Sequence, residues 1–126
     1  SNIQISDEVI STIAGVAAME VDGVASLAAS LTSNIKELIY KKSAGKGVSV
    51  STEDNGDVNI GVNLVVKYNY NIQEVALNVQ NQIIRAVSDM TNFNVSAVNV
   101  NVVGINILRY KNYLIDEEKS EVAVEK

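Results

Sequence analysis

Between Val48 and Ile105 the hydrophobic period of this chain changes twice, and these changes constrain its fold more than any other feature. Apolar and polar residues alternate between Val48 and Tyr68, which is typical of strands with one buried face. Between residues 71 and 90 the apolar residues recur every three to four positions, as they do on one face of a helix. Alternation returns from Val95 to Ile105. A strand, a long helix and a strand in this order predict a right-handed crossover that leaves the two strands parallel.

The first alternating segment is divided by a turn. Asn55-Gly56 lies between two alternating runs, and we predict a β-hairpin there because both residues tolerate a positive φ angle. The two arms of a hairpin are antiparallel, so the predicted sheet is mixed. The longer arm directs Asn59, Gly61 and Asn63 to one face. Its apolar set, which should face the core, is Val58, Ile60, Val62, Leu64, Val66 and Tyr68.

Two amphipathic helices accompany the strands. Ser6 can cap a helix over residues 6–21, and Gly23 should end it. Asn71 can cap the long helix, and Glu74 three residues later completes a capping box. The predicted buried stripes are Ile10, Ile13, Ala14, Ala17 and Val21 in the first helix, and Ile72, Val75, Ala76, Val79, Ile83, Val87 and Met90 in the long helix.

The chain has the length of one domain, with 126 residues. We predict an α+β fold in which a helix precedes a small mixed sheet of three to four strands. The sheet is built from the hairpin, the long crossover helix and the final strand, with the helices on one face. Weaker patterns add a short strand over 24–28 and a short helix over 31–42. The domain should cover residues 1–107, and residues 108–126 should form a charged acidic tail that is partly helical or disordered.

The composition argues against an enzyme. The chain contains no His and no Cys, which removes imidazole proton transfer, thiolate nucleophiles and the usual zinc ligands. Asp54 and Asp57 flank a turn, where Asp is favoured for its backbone hydrogen bonds. Gly45-Lys46-Gly47 lacks the spacing of a phosphate-binding loop, because it leads into a strand and no Ser or Thr follows the lysine. We therefore predict no catalytic residue, no cofactor and no metal site.

Charge and hydropathy limit the partners that we expect. The net charge is −5, and the lysine cluster at Lys41, Lys42 and Lys46 is typical of a solvated helix end, so we predict no nucleic-acid partner. No apolar run approaches the roughly 20 residues of a membrane span. The first residues also lack the pattern of a signal peptide. We expect a cytoplasmic protein that does not insert directly into a membrane.

Asparagine on the outer face of the predicted sheet is the least expected feature, because Asn forms strands poorly. The candidate residues are Asn59, Asn63, Asn99 and Asn101. Three interpretations are open: a solvated face in a protein with 15 Asn, a surface that meets another subunit, and a ligand platform. The face has no aromatic residue, which argues against stacking on single-stranded nucleic acid.

The edges of the predicted sheet carry no protecting residues. Proteins usually shield an edge strand with Lys, Pro or a bulge, yet neither residues 48–51 nor residues 95–105 contain a charge, and the chain has no Pro. Lys67 is the only charge that we predict on the polar side of the longer arm of the hairpin. We take the four asparagines as a candidate self-association surface and expect homo-oligomers, formed by edge pairing or by the meeting of sheet faces. The acidic tail would limit their growth.

A pattern of short segments runs through residues 3–107. It includes Ile5-Ser6-Asp7-Glu8-Val9-Ile10, Glu20-Val21-Asp22-Gly23-Val24, Gly45-Lys46-Gly47-Val48, Asn71-Ile72-Gln73-Glu74-Val75-Ala76, Val98-Asn99-Val100 and Gly104-Ile105. This pattern resembles the alkaline shock protein family, the envelope stress response proteins of Gram-positive bacteria. One departure is Asn69, where the pattern leads us to expect a Gly after Tyr68.

The resemblance implies a small, abundant cytoplasmic protein without enzymatic activity. Members of the family can self-associate, and some are held at the inner face of the membrane by a separate membrane-anchored member. For this chain the resemblance therefore implies a homo-oligomer, with a membrane-anchored protein of the same family as a further partner. Any membrane association would then be indirect.

Two functional hypotheses from different classes follow. The first is a non-catalytic envelope stress response protein that self-associates and acts as a scaffold or adaptor at the inner face of the membrane through a protein partner. The alternative is a small-ligand or acyl-chain accessory module that works beside a metabolic enzyme. Light scattering against concentration and native mass spectrometry for a co-purified ligand distinguish the two.

The missing residue types lead to a prediction about activity. A broad screen of the purified protein for hydrolase, transferase and redox turnover should detect none, because the chain offers no imidazole, thiol or converging pair of acids. Turnover that a single substitution abolishes in a well-folded variant would contradict this prediction.

Overall fold

The computed structural model describes residues 2–29 and 47–107. These residues form, in chain order, α1 (Asp7–Met19), β1 (Val24–Leu27), β2 (Val48–Thr52), β3 (Val58–Lys67), α2 (Ile72–Thr91) and β4 (Val95–Asn106). The structure confirms the predicted single α+β domain, and β1 confirms the short strand expected over 24–28. The short helix predicted over 31–42, the lysine cluster beside it and the tail from residue 108 lie outside the described residues.

β3 is the centre of the sheet and pairs with the other three strands. β4 runs parallel to β3 along one side, as the predicted crossover requires. β1 and β2 run antiparallel to β3 along its other side, with β2 beside its first half and β1 beside its second half. The sheet of the described residues is therefore mixed and has four strands. It is only three strands wide, because β1 and β2 share one side of β3. Both strands that we considered as edges, β2 and β4, lie at an edge of the sheet that the described residues form.

The backbone of Asn63 marks the point where β1 and β2 meet. Its N–H donates to the carbonyl of Gly47 at 3.0 Å, and its carbonyl accepts from the N–H of Ala28 at 3.0 Å. One residue of β3 thus satisfies its outward backbone groups with two segments that are far apart in the sequence. The edge of the sheet opposite β4 is consequently built from two short strands placed end to end.

The core lies between the helices and one face of the sheet. Burial alternates along β3, whose buried residues are at most 1% exposed, as the period of two predicted. α1 packs against β1 and β2, α2 packs against β4, and the two helices also contact each other. The buried core residues with less than 2% exposure and the largest volumes are Ile10, Ile60, Leu64, Ile83, Val58, Val62, Val66, Val79 and Val87.

α1 has its predicted cap and buried face. The hydroxyl of Ser6 accepts a hydrogen bond from the N–H of Val9 at 3.3 Å. Gly23, which lies past the end of the helix, has a φ of 95°, and a Cβ there would lie 2.7 Å from the ring of Tyr70. Both facts require glycine at this position. The buried residues of α1 are mostly small, which lets its neighbours approach closely: Ile10, Ile13, Ala14, Gly15, Ala17 and Ala18.

α2 begins as predicted, but its buried stripe differs at both ends. The side chain of Asn71 accepts from the N–H of Glu74 at 2.9 Å. Two residues placed in the predicted stripe are exposed instead, Ile72 by 44% and Met90 by 69%. Thr91 is buried in place of Met90, and its hydroxyl donates to the carbonyl of Val87 at 2.6 Å. The prediction was wrong at these two positions because the buried residues of α2 are spaced four apart. A spacing of four exceeds the helical repeat of 3.6 residues, so the buried stripe turns gradually around the helix. The confirmed stripe residues are Val75, Val79, Ile83 and Val87.

The predicted hairpin joins β2 to β3 through a turn at Asn55-Gly56. Gly56 has a φ of 92°, whereas Asn55 is not among the residues with positive φ. The N–H of Gly56 donates to the carbonyl of Glu53 at 2.9 Å, and the N–H of Glu53 donates to the carbonyl of Asp57 at 2.7 Å. The predicted hairpin is confirmed, and its longer loop requires a positive φ only at the glycine.

Asn69 lies in the turn between β3 and α2, at the position where the family pattern leads us to expect a glycine. Its φ is 77°, so it occupies the left-handed region at the position where we expected a glycine. Asn enters this region more readily than other residues with a Cβ, because its short polar side chain can bond locally. The connection from β3 to α2 therefore keeps a conformation that glycine would also adopt.

Two adjacent isoleucines of α2 test the assignment of its buried face. Ile83→Ala should lower the free energy of unfolding by about 2–5 kcal/mol, because the side chain is fully buried in the core. Ile84 is 39% exposed and provides the matched control, for which we expect a loss of about 1 kcal/mol or less. Urea denaturation measures both values, and equal losses would show that the buried face is misassigned.

A second pair of variants tests the left-handed turn before α2. Asn69→Gly should change the free energy of unfolding by about 0.5 kcal/mol or less, because glycine adopts a positive φ without strain. Asn69→Val should cost about 1–2 kcal/mol, because a β-branched residue is strained in this region. A valine variant as stable as the parent in urea denaturation would contradict the assigned conformation.

Candidate functional site

The outer face of the sheet carries the four asparagines that we singled out from the sequence. Asn59 and Asn63 lie on β3, and Asn99 and Asn101 lie on β4. The period of two puts all four on the side opposite the helices. We call this surface the polar face; its residues are Ser49, Ser51, Asn59, Gly61, Asn63, Asn99 and Asn101.

The register between β3 and β4 brings some of these residues together and keeps others apart. Asn63 lies directly opposite Asn101, and the Nδ2 of Asn101 donates to the Oδ1 of Asn63 at 3.3 Å. Asn99 lies opposite Gly61, and Asn59 lies opposite Ala97. The four asparagines therefore form one contacting pair and two separate side chains, rather than a continuous ladder of amides.

Gly61 has no side chain, so the polar face is flat at its middle. Ser49 lies beside it on β2, and a Cβ on Gly61 would lie 2.7 Å from the Ser49 hydroxyl oxygen. The hydroxyl of Ser49 occupies part of the space that a larger residue would need. Only small residues therefore lie at the centre of the face, which lets a second surface approach its backbone closely.

A second group of polar residues closes one end of this face. The Glu53 carboxylate accepts from the Nδ2 of Asn59 at 2.7 Å and lies 2.6 Å from the hydroxyl oxygen of Ser96. The Ser96 oxygen also lies 2.8 Å from the Oδ1 of Asn59. These contacts connect the hairpin loop to the first residues of β4.

The sequence did not indicate this cluster, because it depends on a bulge. The pairing of β3 with β4 shifts by one residue between Val58 and Asn59, which leaves Ser96 as the extra residue of β4. A bulge redirects the side chain of its extra residue, and nothing in the local pattern marks Ser96. Besides Lys67 of β3, Glu53 of the hairpin loop therefore brings a charge to this face.

The remainder of the polar face can donate and accept hydrogen bonds but holds no charge between its ends. Asn99 and Asn101 are exposed, whereas Asn59, Gly61 and Asn63 are half-buried between neighbouring strands. Among the described residues, α1 and α2 pack on the opposite face of the sheet, and no group of acidic residues could hold a metal ion. The chemistry available is that of neutral amides, hydroxyls and backbone groups.

The fold and this face define a class of protein: a small α+β domain with its helices on one side of a mixed sheet and a neutral polar surface on the other. The sequence comparisons agree with that class. Residues 1–107 match the profile of the alkaline shock protein family, which is described as having a cell envelope-related function, and the chain belongs to this family.

Relatives in Gram-positive bacteria extend over most of the chain. It is 38% identical to the Bacillus subtilis protein YqhY over 92% of this chain and 86% of that protein. It is 36% identical to Spy1535 of Streptococcus pyogenes over 82% and 78% of the two chains. YloU of Bacillus subtilis is 32% identical over 83% and 88%. These relatives carry names without an assigned activity, and no solved structure matches the chain significantly.

Neither α1 nor α2, the helices of the described part of the chain, is long and apolar enough to cross a membrane.

Proposed function

We propose that this protein is a non-catalytic envelope stress response protein that self-associates and acts as a scaffold or adaptor at the inner face of the membrane, through a protein partner. Membership of a family with a cell envelope-related function supports the cellular context. The observation that carries the proposal is the polar face, where neutral amides and hydroxyls lie side by side on the sheet.

The composition of the polar face suits contact with protein better than contact with water alone. A solvated sheet face usually carries Lys, Glu or Thr, whereas here Asn99 and Asn101 occupy exposed positions on a strand, where Asn is disfavoured. Amide side chains present both donors and acceptors, so the same surface can satisfy a copy of itself. Two copies would also meet without like charges, although each chain carries a net charge of −5.

The ligand-module alternative has less support from the described residues. A depression lined by Ile3, Gln4, Ile5, Ser6 and Phe93 is open to solvent along its length. Sites for small molecules are usually concave and bury most of the ligand. Native mass spectrometry of protein purified from its host would reveal a co-purified acyl chain or metabolite, and such a ligand would favour the alternative.

Single lysines on the polar face provide the test of self-association. Asn99→Lys and Asn101→Lys should shift the protein toward the monomer in analytical ultracentrifugation, because each interface would then contain repeated positive charge. Asn78→Lys is the matched control: it makes the same change at an exposed position of α2 and should associate like the parent. A parent protein that stays monomeric at high micromolar concentration would refute self-association.

The salt dependence of the assembly provides an independent prediction. Contacts between amides, hydroxyls and backbone groups have no net charge to screen. Sedimentation in low and in high salt should therefore give similar association constants. An assembly that dissociates steeply as salt rises would indicate that charged residues hold it together and that the polar face does not.

A further inference from the structure

The outer edge of β4 presents backbone groups that point away from the sheet. On β3, the N–H groups of Val58 and Tyr68 donate to carbonyls of β4 and its flanking residue, so the even-numbered residues of β3 face that strand. The register pairs Ile60 with Val98 and Val62 with Val100. In a parallel ladder, the partner of such a residue directs its own N–H and carbonyl outward. The backbone N–H and carbonyl groups of Val98, Val100 and Val102 therefore point away from the sheet. We call this row of backbone groups the β4 edge.

α2 provides a side chain and an apolar border for the β4 edge. The Nε2 of Gln80 donates to the carbonyl of Val98 at 2.9 Å, which places this face of α2 beside the edge. Leu77 and Ile84 lie three residues before and four residues after Gln80, so they share its face of the helix. Leu77 is 55% exposed and Ile84 is 39% exposed. Two large apolar side chains thus border a strand that has no partner strand on its outer side within residues 2–29 and 47–107.

The same region contains no charge among the described residues. β4 has 12 residues, all of them uncharged. The charged residues of α2 are Glu74, Arg85 and Asp89, and at 3.6 residues per turn they lie about 120–180° around the helix from Gln80. Strand edges that remain single usually carry Lys, Pro, a bulge or a short length. β4 is long and has no Lys or Pro, and its two bulges lie outside residues 97–102, which pair with β3 in continuous register.

We propose that two copies of this chain pair through their β4 edges, antiparallel about a two-fold axis near Val100; this inference rests on the self-association proposed above and places the contact at the strand edge that adjoins the polar face. Val100 of one copy faces Val100 of the second copy, and the two three-stranded widths join into one sheet. Leu77 and Ile84, on the face of α2 that carries Gln80, border the seam in each copy.

A second copy fits the β4 edge better than a charged peptide or an unrelated surface. An isologous interface requires one patch to complement itself, and an uncharged strand whose N–H and carbonyl groups alternate along its outer side does so when it pairs antiparallel. A long strand paired with itself also keeps its backbone groups satisfied along the shared length. The net charge of −5 on each chain would oppose association elsewhere, and the β4 edge is where that charge is absent.

Hydrogen exchange of the full-length parent protein tests the pairing residue by residue. The N–H of Asn99 and of Asn101 face β3, so their exchange should be slow at every protein concentration. The N–H of Val100 and of Val102 face outward, so their exchange should be fast in dilute protein and slow in concentrated protein. The neighbouring residues therefore act as internal controls within one strand.

Substitutions at the edge and on α2 provide the second measurement. Val100→Pro removes an N–H that makes no bond to β3, so the fold should survive while association weakens by about 10- to 100-fold, since the two-fold axis removes that bond twice. Val100→Thr keeps the N–H and is the matched control. Leu77→Lys combined with Ile84→Lys changes exposed positions only and should weaken association without touching the strand.

Each outcome of these experiments separates this inference from the proposed function. If the parent is monomeric at high micromolar concentration, both are overturned. The parent could associate while the N–H of Val100 exchanges fast and all edge variants associate like the parent. That result would overturn pairing through the β4 edge and leave the proposed self-association standing. If Val100 is protected in a monomer, another segment of the same chain covers the edge, and the inference is overturned. Concentration-dependent protection, lost in the edge variants but kept in Val100→Thr, supports it.

Discussion

The position of β3 is the constraint on which the rest of the structure depends. This strand is bonded along both of its sides and buried on one of its faces, so its residues alternate between core and polar face with no freedom to shift. A slip of one residue would carry Ile60 and Leu64 outward and bring Asn59 and Asn63 into the core, where their amides would lack partners. Both helices and all other strands are placed by reference to it.

The same strand connects the core to the candidate surface. Because the apolar face of β3 is buried against the helices, its asparagines must face outward. There they lie beside the asparagines of β4. The parallel register then decides which amides touch, so that Asn63 meets Asn101 while Asn99 meets a glycine. Any interaction made by the polar face is therefore a consequence of how the core packs, and a core variant that shifts the register would also disturb it.

The sheet ends in two chemically different edges. One is divided between β1 and β2, which meet at Asn63, and each of these strands is short. The other is the continuous β4, on which Gln80 occupies the carbonyl of Val98. Short, interrupted strands offer little length for pairing with another chain, whereas a long uncharged strand offers a template. The two edges therefore differ in the length of continuous strand that they present.

Local pattern was sufficient to predict the hairpin, the crossover, the caps at Ser6 and Asn71, and the placement of the four asparagines on one face. These features depend on periods of two and 3.6 residues and on side chains that bond to nearby backbone. Tertiary structure alone decided the burial of Thr91 in place of Met90, the bulge that carries Ser96 to Glu53, and the meeting of β1 with β2. Each of these depends on residues distant in sequence and on the register between strands, which no local period encodes.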